Sequence, residues 1–247
     1  MKSINDGIQK EDKQIKSFLM IGQSNMAGRG DFADVEPILN EHCYMLRMGR
    51  WQRMSEPINV DRGIFHYSPR SGVSLAASFA DEMAKYTGWE VGLIPCADGG
   101  TKIRQWLPGE LLFDHAVMTA GLAMRTSELA GIIWHQGESD CRHYDEETYS
   151  RDFLTTMTAL RKTLNAEHLP LILGELAENS TAAHYMQLER LPDFNRNLHR
   201  LATQLPNCGV VNAQGLEMKP DKLHFNSVSL RTLGVRYFEK YKELTAK

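Results

Sequence analysis

The 247-residue sequence has few cysteines, no long apolar run and no excess of positive charge. Its four cysteines are scattered and form no Cys-x-x-Cys pair, so we expect free, mostly buried thiols rather than a disulfide framework. No apolar run approaches the roughly 20 residues needed to span a bilayer, and we expect no membrane partner. Lys and Arg number 28 against 31 Asp and Glu, and this net charge of −3 gives no electrostatic reason to bind nucleic acid.

The chain also lacks internal repeats, low-complexity segments and Pro/Gly/Ser-rich linkers. The polar stretch Met1–Lys13 contains no apolar core of a signal peptide. We therefore expect a polar lead-in at residues 1–13, a single domain over residues 14–247 and a cytoplasmic location. A secreted protein whose signal peptide had been removed would show the same sequence.

What is present is an alternation of short apolar runs with longer segments of helical periodicity. The apolar runs do not alternate with polar residues, as expected for strands covered on both faces. This pattern predicts βαβ units and a parallel sheet between two helix layers, an α/β/α sandwich. The predicted strands are Lys16–Ile21, Cys43–Met48, Glu90–Cys96, Gly131–Trp134, Pro170–Gly174 and Gly209–Asn212, and the predicted helices are Val73–Tyr86, Glu146–Leu164, Asp193–Leu205 and Val228–Leu244.

Polar motifs follow several of the predicted strands. In an open parallel sheet, ligands bind outside the carboxyl ends of the strands. Four segments lie at such ends: Gly22–Met26, Asp98–Thr101, His135–Glu138 and Asp221–His224. Their common placement is stronger evidence for a site than any one of them alone.

The first of these motifs, Gly-Gln-Ser-Asn-Met, presents Ser24 directly after the first strand. A serine hydroxyl becomes a nucleophile when a base takes its proton, and a serine that opens a helix can aim its backbone N–H at a developing oxyanion. The alternative is an ordinary helix-capping serine. The Gly-x-Ser-x-Gly elbow of lipases is absent, because Met26 stands in place of its last glycine.

The last motif, Asp-x-x-His, supplies the complementary groups. A spacing of three residues puts Asp221 and His224 on one face of a turn. The carboxylate can then hold one imidazole nitrogen while the other faces Ser24 as general base. The alternative is a surface turn at the start of a helix.

The segment Trp-His-Gln-Gly-Glu after the fourth predicted strand offers an amide and a carboxylate. Gln136 could donate to an oxyanion, and Glu138 could orient His224 from the side. A loop stabilised by its own polar groups is the structural alternative. The potential metal ligands here match no zinc pattern, so we expect neither a metal nor a cofactor; they are His135, Glu138, Cys141 and His143.

Gly99 and Gly100 follow the third predicted strand and permit close backbone approach. A backbone N–H there could complete an oxyanion hole. A phosphate-binding loop is the alternative, but neither Gly-x-Gly-x-x-Gly nor a Walker pattern is present. Trp106, a few residues on, is either a platform for a sugar ring or an anchor of its loop.

Taken together, these four motifs resemble the SGNH hydrolase superfamily, and more narrowly its sialate O-acetylesterase-like branch, which includes the acetylxylan esterases of carbohydrate esterase family six. The resemblance implies a flavodoxin-like α/β/α fold with a five-stranded, mostly parallel core. It also implies a metal-independent serine esterase that removes acetyl groups from a carbohydrate, either acetylated xylan or oligosaccharide or a substrate of the sialic acid type.

The resemblance also implies roles for single residues. Ser24 would be the nucleophile and His224 the base, with an oxyanion hole formed by the Ser24 N–H, the N–H of Gly99 or Gly100, and Gln136, which stands where the wider superfamily has asparagine. The acid stays open between Asp221, favoured by the wider superfamily, and Glu138, which the narrower branch offers. We place Asp221 first.

Substrate contacts are expected from residues beside the motifs and from three loops. The residues are Gln23, Asn25, Arg104 and Trp106, and the loops are 49–72, 102–114 and 176–192. Three other functions fit parts of the pattern: a GDSL-type lipase or thioesterase on the same triad, a non-catalytic carbohydrate-binding relative, and a flavodoxin-like nucleotide binder.

Overall fold

A seven-stranded sheet forms the centre of the computed structural model, which describes residues 15–59, 71–141, 143–177 and 190–246. Each of the six predicted strands is found, and the lead-in expected at 1–13 lies outside the described residues. The strands are β1 (Ile15–Gly22), β2 (Cys43–Arg47), β3 (Arg50–Arg53), β4 (Val91–Pro95), β5 (Ser127–His135), β6 (Leu171–Gly174) and β7 (Cys208–Val211).

The strand order is β3-β2-β4-β1-β5-β6-β7, and only the β2–β3 pair is antiparallel. From β1 the chain continues to β2 on one side of the sheet, and after β4 it crosses to β5 on the other side. Connections therefore leave the neighbouring strands β1 and β5 in opposite directions, which opens a crevice at their carboxyl ends. This topological switch point is where a ligand site is expected.

Helices cover both faces of the sheet, as the apolar strands require. The helices are α1 (Ser24–Ala27), α2 (Leu75–Thr87), α3 (Leu111–Ala123), α4 (Glu138–Cys141), α5 (Glu146–Thr163), α6 (Leu191–Ala202) and α7 (Ser227–Thr245). One hydrophobic cluster joins the sheet to α3, α5 and α6, and a second joins it to α1, α2 and α7. The three-layer α/β/α architecture is thereby confirmed, although the sheet has seven strands rather than five.

Strand β3 and helix α3 were not predicted from the sequence, each for a physical reason. Strand β3 has the sequence Arg-Trp-Gln-Arg, and of these four side chains only Trp51 is buried, as befits an edge strand. Helix α3 carries apolar residues on its exposed side as well as its buried side, for example Met118, which blurs the helical period.

The structure also bears on the expectation of free, mostly buried thiols and on the expectation of no membrane partner. All four cysteines are free thiols, and three of them are buried. In the part of the chain that the structure describes, no helix combines the length and the apolar character needed to cross a membrane.

Candidate active site

The loops that follow β1, β4 and β5 meet at the carboxyl edge of the sheet. The backbone N–H of Asp98 donates to the carbonyl of Gly22 at 2.9 Å, and the N–H of Gln23 donates to the carbonyl of His135 at the same distance. These two bonds extend the parallel ladder beyond the strands. They hold the serine motif between the glycine motif and the Trp-His-Gln-Gly-Glu motif.

Gly22 allows the chain to turn sharply before the serine. Its φ of 132° is a backbone conformation that residues with a side chain rarely adopt. A Cβ at this position would lie 2.1 Å from the carbonyl oxygen of His135. The turn places Ser24 as the first residue of α1, where backbone N–H groups have no partner within the helix.

Ser24 and His224 are in hydrogen-bond contact although 200 residues separate them in sequence. The hydroxyl of Ser24 lies 2.9 Å from Nε2 of His224, and Oδ2 of Asp221 lies 2.8 Å from Nδ1 of the same ring. The second Asp221 oxygen accepts the backbone N–H groups of Leu223 and His224, at 2.9 Å each. The hydroxyl, imidazole and carboxylate therefore form a continuous chain.

The electrostatics suit a neutral imidazole paired with an ionised carboxylate. Burial lowers the pKa of His224 below 6.5, and the nearby cations Arg29 and Lys219 lower it further against the opposing effect of Asp221. Burial alone would raise the pKa of Asp221, but hydrogen bonds from His224 and from the Leu223 N–H outweigh it and lower that pKa. Near pH 7 the ring can accept a proton from Ser24.

Gly99 lies directly beside the serine. A Cβ added to Gly99 would stand 3.6 Å from Cβ of Ser24, and Gly100 has a φ of 74°. Backbone at this position can approach a group bound to the serine oxygen without a side chain intervening. The oxyanion hole expected from the Ser24 N–H and a glycine N–H stays a prediction that this proximity supports.

The Gln136 amide is engaged elsewhere. It is fully buried, and its Nε2 donates to the carbonyl of Thr101 at 2.9 Å and to a carboxylate oxygen of Asp140. Its Oε1 accepts from the hydroxyl of Tyr149 at 3.2 Å. With both N–H groups in use, Gln136 has none left for an oxyanion and instead ties the two loops together, which corrects the expected role.

Glu138 does not contact His224 in this arrangement. It is buried, and its Oε1 accepts from the side-chain amide of Asn25 at 2.6 Å. Burial raises the pKa of Glu138 to about 7, and burial lowers the pKa of its neighbour His135 to about 3. The geometry therefore favours Asp221 over Glu138 as the partner of the imidazole.

The four expected substrate-binding residues have different positions. Asn25 and Gln23 are buried, and Gln23 Oε1 accepts the backbone N–H groups of Gly137 and Ser139, at 3.4 Å each. Trp106 is only 1% exposed, donates to Thr101 Oγ1 and packs edge-on against Trp134, so it anchors its loop and offers no platform to a sugar. Arg104 is exposed and remains a candidate contact.

Arg29 is a residue of the site that sequence reasoning missed. It is partly buried, its Nη1 donates to the carbonyl of Gly28, and its Nη2 is 2.6 Å from the point that a Gly99 Cβ would occupy. Burial lowers the pKa of this guanidinium against the attraction of Asp98. The signal in the sequence was Gly-Arg-Gly at residues 28–30, one residue after the serine motif, where two glycines flank a cation near the expected nucleophile.

Two other expectations concern metal and loops. Within the described ranges, no group of three or more His, Cys, Asp or Glu residues is placed to hold a metal ion.

Of the three expected specificity loops, 102–114 is fully described. Residues 60–70 of the first and 178–189 of the third lie outside the described residues.

Comparison with known proteins gives consistent results. The family model for "Carbohydrate esterase, sialic acid-specific acetylesterase" matches residues 14–243. A protein of Arabidopsis thaliana named "Probable carbohydrate esterase" is 30% identical over 244 residues, which cover 91% of this chain and 89% of that protein. The X-ray structure of an Arabidopsis thaliana protein superposes with a TM-score of 0.78 at 27% identity, covering 93% of this chain and 98% of that one.

More distant structures share the fold. The crystal structure of NanS gives a TM-score of 0.72 at 16% identity, with 94% of this chain and 97% of that chain covered. A carbohydrate acetylesterase of Xanthomonas citri gives 0.65 at 18% identity, covering 93% of this chain and 56% of the other. At these identities the likeness concerns the architecture.

Proposed function

The chain belongs to the carbohydrate esterase family of sialic acid-specific acetylesterases, and from this premise we propose that it removes acetyl groups through an acetyl-enzyme intermediate on Ser24. It is a carboxylic ester hydrolase that acts on acetyl groups of carbohydrates. The observation that carries the serine mechanism is the contact of Ser24 Oγ with His224 Nε2, backed by Asp221 on the other ring nitrogen.

The proposed acylation step starts from neutral His224. Nε2 takes the hydroxyl proton as Ser24 Oγ attacks the acetyl carbonyl carbon, and the carbonyl electrons move onto its oxygen. The N–H groups of Ser24 and of Gly99 or Gly100 stabilise that oxyanion; loss of one such donor typically costs about 100- to 1000-fold in rate. The intermediate collapses as the sugar oxygen leaves with the proton from His224.

Deacylation repeats these steps with water. His224 takes a proton from the water, hydroxide adds to the acetyl carbon, and acetate leaves as Ser24 Oγ recovers its proton from the imidazolium. Asp221 stabilises the imidazolium in both halves without itself becoming protonated. An acetyl group needs only a small pocket, so selection of the sugar falls to the surrounding loops, where exposed Arg104 is a candidate contact.

Labelling with a serine-directed fluorophosphonate tests this function. We expect a single modified peptide that contains Ser24, and we expect Ser24→Ala to lose both the labelling and the hydrolysis of aryl acetates. Hydrolysis by Ser24→Ala within about tenfold of the parent rate would refute the proposal. Comparison of acetyl with octanoyl aryl esters distinguishes an acetylesterase from a lipase on the same residues.

A further inference from the structure

The side chain of Asn25 connects the helix of the nucleophile to the loop of the histidine. Asn25 follows Ser24 in α1 and is only 1% exposed. Its Oδ1 accepts the backbone N–H of Phe225 at 3.1 Å, and its Nδ2 lies 3.4 Å from the carbonyl oxygen of Leu223. These are the residues on either side of His224, so one amide holds the backbone before and after the imidazole.

We propose that Asn25 is a positioning residue that sets the distance between Ser24 Oγ and His224 Nε2, and that Glu138 acts through Asn25. The inference rests on the proposed function, because it assumes that these two atoms exchange the proton. It gives buried Asn25 and Glu138 one shared role, in place of the substrate contact expected of Asn25 and of the alternative triad acid considered in Glu138.

Glu138 fixes which way the Asn25 amide points. Its Oε1 is 2.6 Å from Asn25 Nδ2, and a carboxyl oxygen in this contact accepts from an NH2 group. With Nδ2 held there, Oδ1 is directed at the Phe225 N–H. The reversed amide would set oxygen against oxygen and N–H against N–H, leaving buried polar groups unsatisfied at about 1–3 kcal/mol each.

His224 depends on such support because it lies in a loop rather than in a helix or strand. Other contacts on its backbone are the acceptance of its N–H by Asp221 and the donation of the Lys219 N–H to its carbonyl at 2.7 Å. Both partners belong to the same loop. Asn25 instead ties that loop to α1, and a misplacement of about 1 Å in a catalytic pair can cost about 100-fold in rate.

The test is steady-state hydrolysis of an aryl acetate by four variants. We expect Asn25→Ala and Glu138→Leu each to lower kcat about 10- to 100-fold, with KM changed less than about threefold. Glu138→Gln keeps an oxygen acceptor for Asn25 and should recover most of what Glu138→Leu loses. The double variant Asn25→Ala/Glu138→Leu should be no slower than Asn25→Ala alone, because the two residues act in series.

Asn195 provides a matched control. It is 3% exposed, and its amide makes a similar two-way contact with the backbone of Leu176, at 3.0 Å in both directions. Asn195→Ala should therefore lower stability while kcat for the small aryl acetate stays within about threefold of the parent. An equal loss of kcat in this control would mean general loosening and would overturn the proposal.

The remaining outcomes separate this inference from the function on which it rests. Inactive Ser24→Ala together with Asn25→Ala at the parent kcat overturns the positioning role and leaves the esterase mechanism intact. Active Ser24→Ala refutes the mechanism itself. If Asn25→Ala does not fold, judged by circular dichroism, the comparison of Glu138→Gln with Glu138→Leu decides, and equal kcat values for these two overturn the proposal.

Discussion

Asp221 contacts His224 twice, once at the ring and once at the backbone. One carboxylate oxygen is 2.8 Å from Nδ1, and the other accepts the His224 N–H at 2.9 Å. The aspartate therefore fixes the loop and the ring orientation together. A carboxylate against Nδ1 also requires the proton there, which leaves Nε2 free to accept one from Ser24.

Replacement of this carboxylate by an amide should lower turnover strongly. Asp221→Asn can favour the wrong tautomer of His224, which costs up to about 10⁴-fold in turnover in serine triads. Because the Asp221 side chain is 45% exposed, we expect a smaller loss, roughly 10²- to 10³-fold. The measurement is kcat on aryl acetates with purified, folded protein.

Glu138→Gln is the matched comparison, since it makes the same chemical change in the other candidate acid. Glu138 accepts from Asn25 and not from His224, and Gln can still accept, so we expect a milder loss, below about tenfold. A greater loss in Glu138→Gln than in Asp221→Asn would identify Glu138 as the acid.

The pH dependence of kcat/KM should change when Lys219 is replaced by a neutral residue. This lysine lowers the pKa of His224 by its charge, and the base must be neutral to accept a proton. Activity is therefore lost as pH falls through the pKa of His224, which lies below 6.5. In Lys219→Met that pKa rises, so the acidic limb of the profile should move to higher pH.

Lys162 serves as the control for the change of net charge. It is exposed near the end of α5, which leads to the start of β6 and thus to the opposite edge of the sheet. Lys162→Met should leave the acidic limb in place. If both variants shift the limb equally, overall charge rather than the local contact sets the pKa of His224.

The positions of the motifs could be predicted from the sequence because parallel strands bring their carboxyl ends to one edge. Ser24, Gly99 and Gln136 each follow an apolar run, and the topology alone makes them neighbours. Hydrogen-bond partners, by contrast, could not be predicted from this pattern. Gln136 has the right residue type for an oxyanion donor, yet its amide is taken by Thr101 and Asp140, which no periodicity reveals.

The same limit explains Asn25 and Trp106. Each stands beside a predicted catalytic segment, which made a substrate contact reasonable. Both side chains are instead buried, and their hydrogen bonds go to other parts of the protein. Asn25 bonds to Leu223, Phe225 and Glu138, and Trp106 bonds to Thr101. For Asn25 these partners lie 113 to 200 residues away, and pairing at that range depends on the completed fold.

Gly22→Ala should destabilise the protein strongly. The new methyl group would sit 2.1 Å from the carbonyl oxygen of His135, and the φ of 132° would itself cost about 1–3 kcal/mol. Urea unfolding measures the loss. Gly121→Ala is the control: Gly121 lies in α3 with nothing within 4 Å of a new Cβ, so it should be stabilising by up to about 1 kcal/mol. Equal stability of the two variants would contradict the clash.

The buried carboxyl of Glu138 should make stability depend on pH. Its pKa rises from 4.5 to about 7 on folding because burial disfavours the charged form. The folded state then keeps a proton that the unfolded state releases, so the contribution of Glu138 to stability is full below pH 4.5 and is lost as pH rises towards 7. At about 1.4 kcal/mol per pKa unit, the loss is roughly 3 kcal/mol.

Glu138→Gln does not titrate, so its unfolding free energy relative to the parent should rise by about that amount between pH 4.5 and 8. Urea unfolding of both proteins across this range measures the difference, from which the other titrating groups largely cancel. Parallel curves would mean that folding does not raise the pKa of Glu138.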